Sequence, residues 1–566
     1  MSDPERDLLT ARLQRWAVER SGRQALIFLG DGEKETASLG FATFHAAALR
    51  LAEQLRARDV AGRPVLVLPR HAVDFAVAFF GCLYAGAIAV PCSSGPRKRG
   101  WERIVAIAAD CEPAAAIGNR EVSELFDELA ALGIAPIDVG SGASGGLLPP
   151  QHISAGAPAL LQYTSGSTGA PKGVVVTHQN LASNLRMLET SFGVREDTVY
   201  LTWLPLFHDM GLIGNLLAAI YGGVPCVLMP PFSFYQRPQR WLNAIGRYGA
   251  TISGGPNFAY ELLLRRADRM DLAGLDLSRW KLAFCGAEMV RAATMHRFAE
   301  RFVASGFSAS ALYPCYGLAE ATVFVTGAEL NGGARTAIDS LGREVVSCGR
   351  AASGERVVIV DPDTATEMPD GQVGEIWVSG DHVAQGYWSK PELSAHVFDR
   401  RIASGGGDRF LRTGDLGWMS EGELFFAGRL TDTIVFRGTN FYPEDIEATA
   451  AGCHSGLSNF GAAFPIDAGN EEQAVLVQEL ARPLPASFDP RAAVAAIATA
   501  IVNAHGLPLY DIVVVRAGTL PRTTSGKIRR KDCRAIYAAK GFAEASQESL
   551  RRLYHARDIR PAQRAT

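Results

Sequence analysis

A chain of 566 residues is too long for one ordinary core, so several subdomains are expected. Apolar content of 48% and charged content of 20% are those of a soluble globular protein, and a net charge of −3 gives no reason to expect a nucleic-acid partner. Nine cysteines without a CxxC pair argue against a disulfide framework or a zinc site and fit buried thiols in a reducing cytosol.

In chain order, the N-terminus MSDPERDLLTARLQRWAVER is charged and has no secretory apolar core, which points to a cytoplasmic protein. The uncharged stretches Phe75 to Pro96 and Met210 to Gln236 are broken by glycine and proline. Each therefore reads as a buried helix, a turn and a buried strand, not as a transmembrane segment. Leu181, Leu185, Leu188 and Phe192 mark one face of a helix after Thr177. "VVIVD" (357–361) and "GEIWVSG" (374–380) read as strands. Near residue 430 the texture changes to a hairpin, a helix opening at Pro443 and Glu444, strands over 459–464 and 473–479, an alanine-rich helix over 490–505 ended by Gly506, and the strand "DIVVV". Two regions follow: 1–430, large and α/β, and 431–566, smaller and α+β.

Two loops stand out. Thr164 to Gly173 holds three glycines, two serines, two threonines and Lys172 between strand-like runs. Backbone N–H groups in such a loop can converge on phosphate oxygens, yet the same composition also makes an ordinary turn. It is not a Walker A loop, because Lys172 is followed by glycine and a strand instead of Ser or Thr and a helix. The second loop, "LPRTTSGKIRR" (520–530), fails the same test, with Pro521 where a glycine is needed.

"YTSGSTGAPKGV" resembles the phosphate loop of the adenylate-forming superfamily, which holds acyl-CoA synthetases, luciferases and peptide-synthetase adenylation domains. Six further blocks occur in that family's order: "WLPLFHDMGLIG", "FCGAEMV", "YGLAEAT", "TGDLG", "GRLTDTIVFRGTNFYPEDIE" and "PRTTSGKIRR". They span about residues 160 to 530. "WLPLFHDMGLIG", "QRPQRWLNAIGRYGATISGGPNFAYEL", "PCYGLAEAT" and "VSCGR" are similar to the fatty acyl-AMP ligase branch.

The resemblance implies a large N-terminal domain of two mixed α/β sheets and a small β-barrel, a mobile C-terminal domain and a hinge near 429–432. It also implies ATP-dependent conversion of a medium- or long-chain fatty acid to an acyl-adenylate, then transfer of the acyl group to a thiol. By resemblance, Thr164, Ser165, Gly166, Ser167, Thr168, Gly169 and Lys172 hold the β- and γ-phosphates. Glu320 holds Mg²⁺, a hard cation suited to carboxylate and phosphate oxygens; on the residues alone it is equally a helix-start carboxylate. Tyr316, followed by Gly317, stacks on adenine, and Gly286, Ala287 and Glu288 run along the adenine edge. Asp415 and Arg429 reach the ribose. Lys527 reaches the reacting carboxylate and the α-phosphate, so the C-terminal domain must close over the site. His208 stands at the acyl entrance, and Gly255, Asn257 and Phe258 lie along an apolar acyl pocket whose lining favours an alkyl chain.

The branch carries an insertion after "YGLAEAT" that excludes CoA. Here residues 323–347, 25 in all, separate Thr322 from Cys348, more than in ordinary acyl-CoA synthetases and fewer than in typical acyl-AMP ligases. Thr431 takes the hinge position where that family usually has a charged residue, and Asp432 follows. A separate acyl carrier protein is the leading acceptor and CoA the alternative. A non-catalytic sensor is a third reading, which the presence of Lys172, Glu320, Asp415, Arg429 and Lys527 speaks against.

Overall fold

The computed structural model describes residues 7–93, 97–119, 122–140, 152–164, 171–339, 342–403, 405, 407–436, 439–468, 471–485, 488–523 and 526–542. The chain divides into two compact units, Met1–Thr413 with Trp418–Phe426, and Gly414–Gly417 with Ala427–Thr566.

Two mixed sheets build the first unit. In the six-stranded sheet, Ala135–Asp138, Ala115–Gly118, Pro64–Val67, Ile88–Pro91 and Pro158–Thr164 run parallel, and Lys172–Thr177 closes the edge antiparallel. Strands such as "PVLV" and "IAVP" are buried at every position, as a parallel sheet covered on both faces requires. In the nine-stranded sheet, Leu312–Tyr316, Leu282–Cys285, Ile252–Gly255, Tyr200–Thr202, Cys226–Leu228 and Gln24–Leu29 form the parallel centre, in that order.

Both uncharged stretches fold within this unit. The first gives the helix Ala72–Ala85, ended by Gly86 at φ 70°, and the strand Ile88–Pro91. The second gives a π-helical turn Leu212–Leu217, the helix Ala218–Gly222 ended by Gly223 at φ 67°, the strand Cys226–Leu228 and the helix Pro231–Gln236. Glycine suits both ends because the left-handed conformation costs it nothing sterically. No helix among the described residues is long and apolar enough to cross a membrane. All nine cysteines are unpaired and buried or half-buried.

Where the small barrel is expected lies a four-stranded sheet of Arg356–Val360, Gly374–Ser379, Leu411–Ser420 and Glu423–Arg429. The segment after Thr322 carries a short antiparallel pair, Thr336–Ile338 with Glu344–Val346.

The second unit follows the pattern read from its sequence. The hairpin Ile434–Phe436 and Thr439–Phe441 leads into the helix Pro443–Gly452. The strands Leu457–Ala468, Glu471–Leu480 and Asp511–Val515 form one sheet, and the helix Pro490–His505 packs on it through Ala493, Val494, Ile497 and Ile501.

Candidate active site

The glycine- and serine-rich loop joins two antiparallel strands, Pro158–Thr164 and Lys172–Thr177, with Thr164 opposite Lys172 at its mouth. Ser165, Gly166, Ser167, Thr168 and Gly169 lie outside the described residues. The base of the loop is anchored below. Gly173 packs on Tyr163, where an added Cβ would lie 2.9 Å from the phenol ring. The Tyr163 hydroxyl donates to Asp110 at 2.7 Å, and Lys390 pairs with the same carboxylate. Burial, together with the nearby thiol and carboxyl groups, raises the Tyr163 pKa, so its hydroxyl stays a donor.

Residues 385–388 extend the hairpin edge: Val175 N–H donates to Gly386 O at 2.9 Å, and Trp388 N–H to Gly173 O at 2.7 Å. This places Tyr387 beside the loop. Its hydroxyl donates to Glu320 Oε1 at 2.9 Å, and the Lys172 ammonium lies 5.4 Å from its ring centre. One aromatic side chain thus joins the lysine of the phosphate loop to the carboxylate expected to hold the metal. Burial first, then the Glu320 charge, push the Tyr387 pKa above the ordinary tyrosine value, so it remains a neutral donor.

Glu320 sits on the short 3₁₀ turn Ala319–Ala321. Thr322 follows at φ 66° and ψ −62°, and Val323 N–H bonds back to Ala321 O at 2.8 Å. This is the rare, strained γ-turn, adopted here by a β-branched residue. Its hydroxyl, donating to His382 O at 2.6 Å, helps hold the strain in place. Gly317 makes the turn possible, since a Cβ there would lie 1.7 Å from Val323 O.

Gly255, Cys285 and Tyr316 end three adjacent parallel strands. The residues after them therefore meet at the carboxyl edge of the nine-stranded sheet, where ligands bind in open α/β sheets. Ala287 stands in the left-handed region at φ 67°. Two cross-links tie the acyl and adenine segments together: Phe258 N–H donates to Glu288 Oε1 at 2.6 Å, and Arg291 N–H to Asn257 Oδ1 at 3.1 Å. The Tyr316 ring is buried and stacks on Phe426, centroids 6.2 Å apart.

Around Gly255 and Phe258 the surroundings are aromatic. Trp203 stacks on Phe234 at 4.0 Å and meets the edge of Phe258 at 6.1 Å, while Tyr235 stacks on Phe258. A Cβ at Gly255 would lie 2.9 Å from the Trp203 ring. Glu261, in the same stretch, is engaged by Thr294 and Arg297. His208 Nδ1 lies 2.5 Å from Asp209 Oδ1.

In the second unit Asp415, almost fully buried, pairs with the half-exposed Arg429 at 3.2 Å. Lys527 sits in a tight turn: Thr523 N–H donates to Lys527 O at 2.7 Å and Lys527 N–H to Thr523 Oγ1 at 3.0 Å.

Of the residues singled out in the sequence, Lys172 and Glu320 meet through Tyr387, and Thr164 stands opposite Lys172. Gly255, Asn257, Phe258, Gly286, Ala287, Glu288, Tyr316 and Gly317 share one sheet edge, and Asp415 meets Arg429. Sequence reasoning missed Tyr387; its only signal is an aromatic pair in "QGYWSK". For a magnesium ion, the donor chemistry fits. Among the described residues no cluster of three His, Cys, Asp or Glu side chains could hold a metal, whereas Mg²⁺ is commonly held by one or two carboxylates together with substrate phosphates. Glu320, fixed by Tyr387, supplies such a carboxylate.

Residues 13–388 match the AMP-binding enzyme family, and residues 431–547 match the AMP domain of Disco-interacting protein 2-like proteins. The chain is 38% identical to the medium-chain-fatty-acid–[acyl-carrier-protein] ligase JamA of Moorena producens, over 95% of this chain and 96% of that one. It is 36% identical to the long-chain-fatty-acid–AMP ligase FadD26 of Mycobacterium tuberculosis, over 89% and 92%. Among solved structures, the fatty acyl-adenylate ligase from L. pneumophila in complex with acyl adenylate and pyrophosphate is 36% identical, with a TM-score of 0.73 over 94% of this chain and 96% of that one.

Proposed function

Because the chain belongs to the AMP-binding enzyme family, in its fatty acyl-AMP ligase branch, we propose that it activates a medium- or long-chain fatty acid with ATP and passes the acyl group to a separate acyl carrier protein. In the first step a carboxylate oxygen attacks the α-phosphorus, and the bond to the bridging oxygen breaks. The products are acyl-AMP and pyrophosphate. In the second step a phosphopantetheine thiolate attacks the acyl carbonyl carbon and AMP leaves.

The observation that carries this reading is Tyr387 bridging Glu320 and Lys172 beside the loop mouth. Lys172 and the loop hydroxyls neutralise the β- and γ-phosphates, which become the leaving group. Tyr387 holds Glu320 in one orientation, where it would hold Mg²⁺, an ion that would offset phosphate charge. Tyr316 stacks on adenine, Ala287 and its neighbours line the base edge, and Asp415 and Arg429 bind the ribose. Lys527 places the carboxylate against the α-phosphate. Such pre-set charge and alignment are what phosphoryl- and nucleotidyl-transfer sites chiefly contribute. The aromatic surroundings of Gly255 and Phe258 suit an alkyl chain. Rotation about residues 429–432 delivers the second unit, and nine unpaired cysteines accord with a cytoplasmic location.

CoA, the alternative acceptor, is not favoured by the carrier-protein and AMP ligases among the relatives; the segment after Thr322, 25 residues with a small hairpin, is where the two acceptors would be told apart. ATP–pyrophosphate exchange with dodecanoate, followed by loading of a phosphopantetheinylated carrier protein, tests the proposal. Fatty-acid-dependent exchange and acylated carrier support it. Absence of exchange with any fatty acid overturns it.

A further inference from the structure

The Lys527 loop is fastened at both ends by buried ion pairs. At its start, Arg522 donates to Glu479 Oε2 at 2.6 Å, Leu520 N–H donates to the other carboxylate oxygen at 2.8 Å, and the guanidinium lies 3.7 Å over the Phe460 ring. Glu479 is 1% exposed. At its end, Arg530 is the meeting point of three carboxylates. Nε and Nη2 bind Glu447 bidentately at 2.7 and 2.8 Å, while Nη1 reaches Glu444 at 2.7 Å and Asp432 at 3.3 Å. Glu447 is itself held by Ala463 N–H at 2.9 Å.

Asp432 belongs to the segment proposed as the hinge. Asp432 N–H and Thr433 N–H both donate to Arg429 O, at 3.2 and 3.1 Å, and Thr433 Oγ1 donates to it at 2.8 Å. Two residues, Ile528 and Arg529, separate Lys527 from Arg530, and Arg529 N–H closes the loop on Pro521 O at 2.9 Å. A guanidinium that uses all three nitrogens on carboxylates from two segments has a fixed position, which a lysine ammonium cannot reproduce.

We propose that Arg530 is a positioning residue: it ties the Lys527 loop to Asp432, where the proposed hinge segment runs into the second unit, so that Lys527 and the residues leaving the hinge turn as one rigid body. The inference rests on the acyl-adenylation reading above and extends it to how Lys527 is aimed. All three Arg530 nitrogens are committed to carboxylates, so it acts through Lys527. Its effect is on the alignment of the reacting carboxylate, a term that small displacements degrade steeply.

The test uses the full-length protein and two substitutions. Arg530→Lys keeps the charge and loses the fork. Asp432→Ala cuts only the arm to the hinge and leaves the Glu447 and Glu444 pairs in place. In both, amide hydrogen exchange of peptides covering 429–436 and 520–529 is expected to rise together, with the sheet strands of the second unit unchanged, and the helix Pro443–Gly452 unchanged in Asp432→Ala. The kcat for adenylate formation falls between about tenfold and a hundredfold while the KM for ATP holds. Exchange that rises in only one of the two segments, or a full kcat in Arg530→Lys, overturns the proposal. A Lys527→Ala protein that forms adenylate normally, alongside coupled exchange in the Arg530 variant, would leave the rigid body standing and remove the role assigned to Lys527.

Discussion

Tyr387 donates a 2.9 Å hydrogen bond to Glu320, 67 positions away in the chain, and the same ring faces the Lys172 ammonium. A neutral phenol thus stands between the carboxylate and the cation proposed to serve the same triphosphate.

Tyr387→Phe removes the donor and keeps the ring. A hydrogen bond to a charged group contributes about 1.5–3 kcal/mol, so adenylation is expected to fall by at least about tenfold. The magnesium concentration for half-maximal rate rises, because Glu320 loses its fixed orientation. Steady-state kinetics across a magnesium titration check this; an unchanged magnesium dependence would separate Tyr387 from the metal.

The Tyr387 pKa is raised by burial and by Glu320. The phenol therefore keeps its proton through pH about 10, where a free tyrosine loses half of it. Between neutrality and that pH, wild type is expected to show no loss of rate that Tyr387→Phe abolishes. A pH–rate profile of both proteins reads this.

His178 is buried, and burial alone lowers its pKa from 6.5 to about 4. The fold holds it neutral, whereas the unfolded chain takes up a proton below about pH 6.5. The unfolded state thus binds more protons between about pH 6.5 and 4, and stability falls as pH drops through that window. The full effect is about 3 kcal/mol. Denaturant melts across that range should show the slope in wild type and a shallower one in His178→Gln.

Gly317→Ala drives a Cβ against Val323 O and opens the γ-turn at Thr322. The cost is on the order of 3 kcal/mol or more. Differential scanning calorimetry should show a lowered transition, with adenylation lost in the protein that remains folded.

Much of this was legible in the sequence because it is local. Thr177 opens the helix His178–Ser191 with a capping box to Asn180, and Leu181, Leu185 and Leu188 fill its buried face. Pro490–His505 ends at Gly506 in the left-handed conformation, as its composition implies. The loop between Thr164 and Lys172, whose ends the strand pair brings together, is flagged by its glycines and hydroxyls. Tyr387 was not legible, because strand pairing between distant segments brings it to Glu320. The γ-turn was hidden as well: nothing in a threonine announces a positive φ, which Gly317 and the bond to His382 O impose from outside. Arg530 reads as one more charge in a basic run until Glu447, Glu444 and Asp432 converge on it.

Asp415→Ala removes the partner of Arg429 and a buried carboxylate. The KM for ATP is expected to rise by about tenfold or more, with kcat less affected, as lost ribose binding requires. An unchanged KM would place the ribose elsewhere.

The most direct measurement incubates the purified protein with ATP, Mg²⁺ and labelled dodecanoate, with and without CoA, and separates the products by chromatography. The account predicts acyl-AMP that persists when CoA is added and disappears only when a phosphopantetheinylated carrier protein is supplied. Conversion of the label to acyl-CoA would contradict it.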